Sequence, residues 1–125
     1  MTVSSTTVEL VQIASAAADS RGGTESVAFD VSGPLPLVDA FFLVSGAVER
    51  NVMAIASEIE DRLNAHGART LRREGKTDGR WILLDFGDLV VHVFHEEERL
   101  YYSLERLWKD CPIIPIQTPS ATLAD

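Results

Sequence analysis

The chain has 125 residues, with 11 Lys plus Arg against 19 Asp plus Glu, and a formal charge of −8 at pH 7. That length suits one domain able to bury a core without disulfides, and 46% hydrophobic with 24% charged residues excludes wholesale disorder. The acidity argues against sequence-independent binding of nucleic acid through a basic surface and suits basic partners instead. Cys111 is the sole cysteine, so there is no internal disulfide and no basis for a cysteine-ligated zinc site. No apolar run reaches the length of a membrane span, and the polar start Met1 to Thr7 does not read as a secretory signal, so a soluble cytoplasmic protein is expected.

Residues 6–20 read as a helix, with Val8, Val11, Ala14 or Ser15, and Ala18 at helical spacing and Arg21-Gly22-Gly23 as the stop. Val27 to Val31 predict a short strand, followed by the turn-forming Ser32-Gly33-Pro34. Ala40 to Val44 form a nearly continuous apolar run, expected as a strand covered on both faces and broken by Ser45-Gly46. A helix follows over about 48–66, its stripe made by Val52, Ile55, Ala56, Ile59 and Leu63, with Gly67 as the C-terminal cap. Arg69 to Glu74 predict an exposed strand and Gly75 to Gly79 a polar turn.

The clearest local signal is a hairpin. Trp81 to Phe86 and Leu89 to Phe94 flank Gly87-Asp88, and glycine first in a two-residue connection fits a type II′ turn. That turn fixes the register, from Phe86 opposite Leu89 to Trp81 opposite Phe94. Alternation then sorts the side chains. Ile82, Leu84, Phe86, Leu89, Val91 and Val93 make an apolar core face, whereas Trp81, Leu83, Asp85, Val90, His92 and Phe94 make a mixed face. Two readings of the mixed face stand side by side: a surface that meets a partner, or a face covered by an internal helix. A last helix is expected from about Glu97 to Trp108, and from Asp110 onward three prolines predict an irregular tail. One domain over 1–112 with a tail over 113–125 is therefore expected. The element order αββαβββα points to an α+β fold, a mixed sheet with helices mainly on one face.

Several chemistries fail on spacing. His92 and His95 lie an odd number of positions apart on a strand, so they face opposite ways and cannot share a metal ion. Asp85 projects from a strand while Asp88 sits in the turn, which separates the two carboxylates. Ser45-Gly46 before a helix invites an anion site, but a simple helix cap explains it better. No nucleophile elbow, phosphate loop or dinucleotide fingerprint is present, and no cofactor or metal is expected. Residues 68–80 are locally basic: Arg69, Arg72, Arg73, Lys76 and Arg80 against Glu74 and Asp78 leave +3 there and −11 elsewhere. The segment reads first as a solvated edge strand, with a minor RNA phosphate contact as the functional alternative.

The chain resembles the Iojap-like ribosomal silencing factors (the RsfS family). The residues that carry the resemblance are Arg73-Glu74-Gly75, the run Trp81 to Asp88, the run Val91 to Arg99, and the Tyr102 to Trp108 segment with Leu104, Glu105 and Leu107. Upstream, Asp30-Val31-Ser32, Asp39, Phe41, Ser45-Gly46, Arg50 and Ala54-Ile55-Ala56 match in order, so the likeness spans roughly residues 8–112. Ala40, Val38 and Asn51 depart from that family's usual residues. The resemblance implies a nucleotidyltransferase-like fold without enzymatic activity, and a translational repressor of nutrient-limited cells. It would bind the large ribosomal subunit through a basic ribosomal protein on the joining face and block the small subunit, with minor rRNA contact from 69–80. Homodimers are frequent among crystallised members. Metal-dependent nucleotidyl transfer would need a carboxylate pair and a glycine-serine order, whereas this chain has Asp85 alone and Ser45-Gly46 reversed. A divergent nucleotidyltransferase and a homodimerising adaptor are the competing readings. Trp81, Leu83, Asp85, His92 and Phe94 are the candidate docking residues, with Glu74, Arg99 and Tyr102 as polar contacts at the margins.

Overall fold

A computed structural model of the chain describes residues 3–35, 37–75, 80–102, 106 and 108–116, with Leu100, Tyr101 and Tyr102 described as backbone alone. The elements are α1 (Ser5–Ser20), β1 (Thr24–Asp30), β2 (Ala40–Gly46), α2 (Glu49–Ala65), β3 (Arg72–Gly75), β4 (Trp81–Asp85), β5 (Leu89–His95) and α3 (Glu96–Tyr102). This is the αββαβββα order read from the sequence. The five strands form one mixed sheet in the order β1-β2-β5-β4-β3, in which β2 and β5 run parallel and the other neighbours antiparallel.

Local chemistry explains most boundaries. Ser4 caps α1, its Oγ accepting the Thr7 N–H at 3.1 Å. Both long helices end in the same way: the N–H groups of Gly22 and Gly23 reach the Asp19 and Ala18 carbonyls, and those of Gly67 and Ala68 reach Asn64 and Leu63. The hairpin has the expected register from Trp81↔Phe94 to Asp85↔Val90, and the Phe86 N–H donates to the Leu89 carbonyl at 2.9 Å. Gly87 has φ +92° and Asp88 does not share the positive sign, as a type II′ turn requires.

Three expectations are corrected. Ser45-Gly46 does not break β2, which runs through Gly46, where it pairs with His95. A Cβ on Gly46 would lie 2.9 Å from the Val52 backbone nitrogen and from its Cγ2, so the glycine admits the first turn of α2 against the strand. Nor does either residue cap α2: Val48 is the N-cap, and Asn51 Oδ1 accepts the Ala47 N–H at 2.9 Å. The C-terminal tail begins as a packed strap. The Pro112 carbonyl accepts from Asp30, the Ile114 N–H donates to Ala28, and Ile114 is buried in the main core. An isolated bridge, not a strand, makes this edge pairing, because Pro112 and Pro115 lack donors. The expected continuation of α3 to Trp108 falls on 103–105 and 107, outside the described residues, as do Lys76 and Asp78 of the basic segment and residues 117–125.

The main core lies between the sheet and the pair α1 and α2, built from Val11, Ala14 and Ala18, from Val52, Ile55, Ile59 and Leu63, and from the hairpin's apolar face. A smaller cluster of Phe29, Val31, Leu43 and Phe94 lies on the opposite face. If the strap is part of the core, Ile114→Ala should lower unfolding free energy by about 2 to 4 kcal/mol in chemical denaturation, as for other buried isoleucines. A freely moving tail would leave stability within about 0.5 kcal/mol of the parent.

Candidate functional site

Strand register arranges the second face of the sheet in three rows. Arg72, Asp85, Val90, Phe41 and Phe29 form one, Glu74, Leu83, His92, Leu43 and Val27 the next, and Trp81, Phe94 and Ser45 the last. Trp81, Leu83, Asp85, His92 and Phe94 therefore do share one face, with exposed Glu74 at its β3 margin. They are not equally accessible. Trp81, Leu83 and Asp85 on β4 are half-buried, whereas His92 and Phe94 on β5 are buried. The face is divided: α3 packs on β5 and β2, while the β4 side stays accessible among the described residues.

Aromatic rings organise the face. The Trp81 and Phe94 centroids are 5.0 Å apart, and the His92 ring stacks on Phe94 at 5.8 Å with 5° between planes. Phe41 meets His92 edge-on at 5.3 Å and Trp108 edge-on at 5.0 Å. Phe41 and Trp108 thus extend the strip beyond the residues the sequence pointed to. Their recruitment depends on the parallel β2–β5 pairing and on the fold-back of the C-terminal segment, neither of which has a local signature. Such edge-on and stacked pairs each add about 0.5 to 1.5 kcal/mol beyond burial, so the strip is a stiff platform.

His92 is the electrostatically unusual member. Burial pushes its imidazole down to about 4, so it is neutral near pH 7. Its Nδ1 accepts the Trp81 Nε1–H over a long 3.4 Å. Asp85 is partly committed, its Oδ1 accepting the Gly87 N–H at 2.8 Å within the turn. Arg99, expected at the margin as a polar contact, is turned inward: it is 6% exposed and its Nη1 donates to Ser45 Oγ at 3.0 Å. The Tyr102 side chain lies outside the described residues.

Two of the positions considered for chemistry, Ser45 and His95, are engaged in structural contacts. Ser45 is buried and engaged with Arg99, so it presents no hydroxyl at a helix start. His95 lies on the helix side of the sheet, its Nδ1 accepting the Glu97 N–H at 3.1 Å, opposite to His92. Among the described residues no group of three or more His, Cys, Asp or Glu side chains is placed to hold a metal ion, and no helix is long and apolar enough to cross a membrane.

The basic segment folds differently from its sequence charge. Arg80 donates to Glu98 at 2.8 and 3.0 Å, to Glu49 at 3.0 Å and to Glu97 at 3.2 Å. Those carboxylates, Glu98 foremost, hold its guanidinium firmly protonated. Arg73 pairs with Glu60 at 2.7 Å and Arg72 with Glu74 at 3.5 Å. Carboxylates from α2 and α3 thus offset most of the local positive charge.

The neutral His92 has a measurable consequence. An unfolded histidine titrates near pH 6.5, so the unfolded chain binds more protons between pH 6.5 and 4, and stability must fall as pH falls through that window. The loss attributable to this residue reaches about 3 kcal/mol at pH 4. Urea titrations at pH 7, 5.5 and 4.5 should show it, and the His92→Leu variant should be less pH-dependent by that increment. Equal pH dependence in the two proteins would mean the imidazole is charged in the fold.

Comparison with known proteins agrees with this architecture. The family model described as "Ribosomal silencing factor during starvation" matches residues 4–125. The ribosomal silencing factor RsfS of Bacillus subtilis is 41% identical over 104 residues, covering 83% of this chain and 88% of that protein. The Halalkalibacterium halodurans RsfS is 40% identical over 109 residues, covering 87% and 93%. A crystal structure of a Chromobacterium violaceum protein superposes with a TM-score of 0.78 at 32% identity, covering 81% of this chain and 84% of that one. One from Bacillus halodurans gives 0.75 at 40% identity, covering 86% and 97%. With matches across nearly the whole chain in both sequence and fold, this protein belongs to the RsfS family of ribosomal silencing factors.

Proposed function

We propose that this protein silences translation by docking the β4 side of its open sheet face on a basic ribosomal protein at the joining surface of the large subunit. Occupancy of that surface then blocks the small subunit. The observation that carries the reading is the half-buried Trp81, held against buried Phe94 and His92 beside Leu83 and Asp85 on an accessible face. A rigid aromatic that is only partly covered in the free protein is the residue type most often found at binding hot spots. Family membership supplies the ribosomal context.

The reading assigns no bond-breaking step, and every residue has a packing or contact role. Trp81 and Leu83 are the apolar anchors, Asp85 and Glu74 flank them with negative charge, and His92 and Phe94 form the support behind. A net charge of −8 favours encounter with a basic partner. Protein is preferred to RNA as the main contact, because Arg72, Arg73 and Arg80 are paired with carboxylates.

Purified protein should co-sediment with isolated large subunits at modest salt and inhibit their joining with small subunits. Trp81→Ala should weaken binding by about 30-fold, the cost of losing an anchor worth about 2 kcal/mol, with its unfolding still cooperative. Wild-type protein remaining at the top of the gradient would end this reading. Saturable magnesium-dependent nucleotide binding lost in Asp85→Ala would favour an enzyme instead.

A further inference from the structure

A buried guanidinium links three elements behind the docking face. Arg99 of α3 donates from Nη1 to Ser45 Oγ at 3.0 Å, and its Nε lies 3.9 Å from Glu25 Oε2. Ser45 belongs to β2 and is fully buried. Glu25 belongs to the irregularity in β1, where the register shifts between Thr24 and Val27. Its φ of +53° is the one positive value of a non-glycine residue among the described residues. A side chain with a Cβ disfavours that backbone, which persists where surrounding contacts over-determine it.

Burying a charge is costly unless good geometry compensates, so a buried arginine contributes little net stability compared with an apolar side chain. Its distinctive contribution here is position. Ser45 is the register partner of Phe94, and Phe94 is the register partner of Trp81. Fastening α3 to Ser45 fixes the helix that packs over β5 and β2. Phe94, fully buried, is in turn the wall against which Trp81 stands at 5.0 Å.

We infer that Arg99 is a positioning residue of the docking face: it fastens α3 to Ser45 and so holds Trp81 in its binding pose, without touching the partner. This rests on the docking function proposed above. The bond is directional. A lysine carries the charge on a single ammonium and cannot address Ser45 and Glu25 from two nitrogens of one planar fork.

The test combines affinity for purified large subunits with the indole N–H resonance of Trp81, assigned by its loss in Trp81→Phe. All proteins are compared well below their unfolding midpoints. Arg99→Met should shift the Trp81 resonance and weaken binding by about tenfold, and Arg99→Lys should recover only part of it. Ser45→Ala should do the same more mildly, and the double variant should bind no more weakly than Arg99→Met alone, since Arg99→Met already removes the bond that Ser45→Ala deletes. A lowered unfolding midpoint with unchanged resonance and affinity would overturn the inference. So would additive losses in the double variant, which would make Arg99 a direct contact. If Arg99→Met does not fold, Ser45→Ala decides by the same two readouts. Wild-type protein that fails to bind would end the docking proposal instead, and the Trp81 resonance alone would then decide whether Arg99 positions the indole.

Discussion

Parallel pairing of β2 with β5 sets Phe41 beside Val90, Leu43 beside His92 and Ser45 beside Phe94 at the centre of the sheet. Because register fixes the face of every side chain, that single pairing decides what lies on each side of the molecule. It sends Phe42, Val44, Val91 and Val93 to the helix pair α1 and α2, and it leaves the other face to residues that are large, aromatic or polar. A register slip of one residue would exchange the two sets and expose the main core. The apolar uniformity of the helix-facing side is therefore what keeps the mixed face in place.

The two faces solve different physical problems. On the helix side, alanine in α1 and branched residues in α2 allow close packing, and Ser15 Oγ is the buried side-chain polar atom without a hydrogen-bond partner among the described residues. On the other side, polar atoms are buried in pairs: His92 with the Trp81 indole, and Arg99 with Ser45. Each pair restricts geometry more than it adds stability, since a net hydrogen bond contributes only about 1 kcal/mol and an unmade one costs more. Rigidity of that kind suits a surface whose side chains must already be in place when a partner arrives, because ordering them on binding would reduce affinity.

What could be read from the sequence follows the range of the interactions involved. The hairpin was legible in full because a two-residue glycine turn and strict alternation are local facts, and they sufficed to place Trp81, Leu83, Asp85, His92 and Phe94 on one face. Helix ends at Gly22 and Gly67 were legible for the same reason. Gly46 was misread because glycine has two uses. The sequence suggests a chain-breaking turn, and the structure uses the missing Cβ to admit α2. The places of Phe41 and Trp108 on the aromatic strip, and the strap at Ile114, are not legible because their neighbours are set by non-local pairing. The inward turn of Arg99 escaped for the same reason, its partner Ser45 lying on a distant strand.

Charge shows the same contrast between linear order and folded space. Along the chain, residues 68–80 carry +3 within an acidic protein, which suggests an electrically two-sided molecule. In the fold, Glu49 from α2 and Glu97 and Glu98 from α3 converge on Arg80, and Glu60 reaches Arg73. Those pairs are largely exposed and contribute little to stability, but they draw the local field toward zero where a cationic patch was expected. At separations beyond about 8 Å in physiological salt individual pairs fade, so an approaching partner meets the negative remainder of the charge rather than a basic edge. Under the docking function proposed above, steering by net charge and holding by Trp81 and its neighbours would act at different ranges, the acidity setting how often a basic partner arrives and the aromatic strip how long it stays.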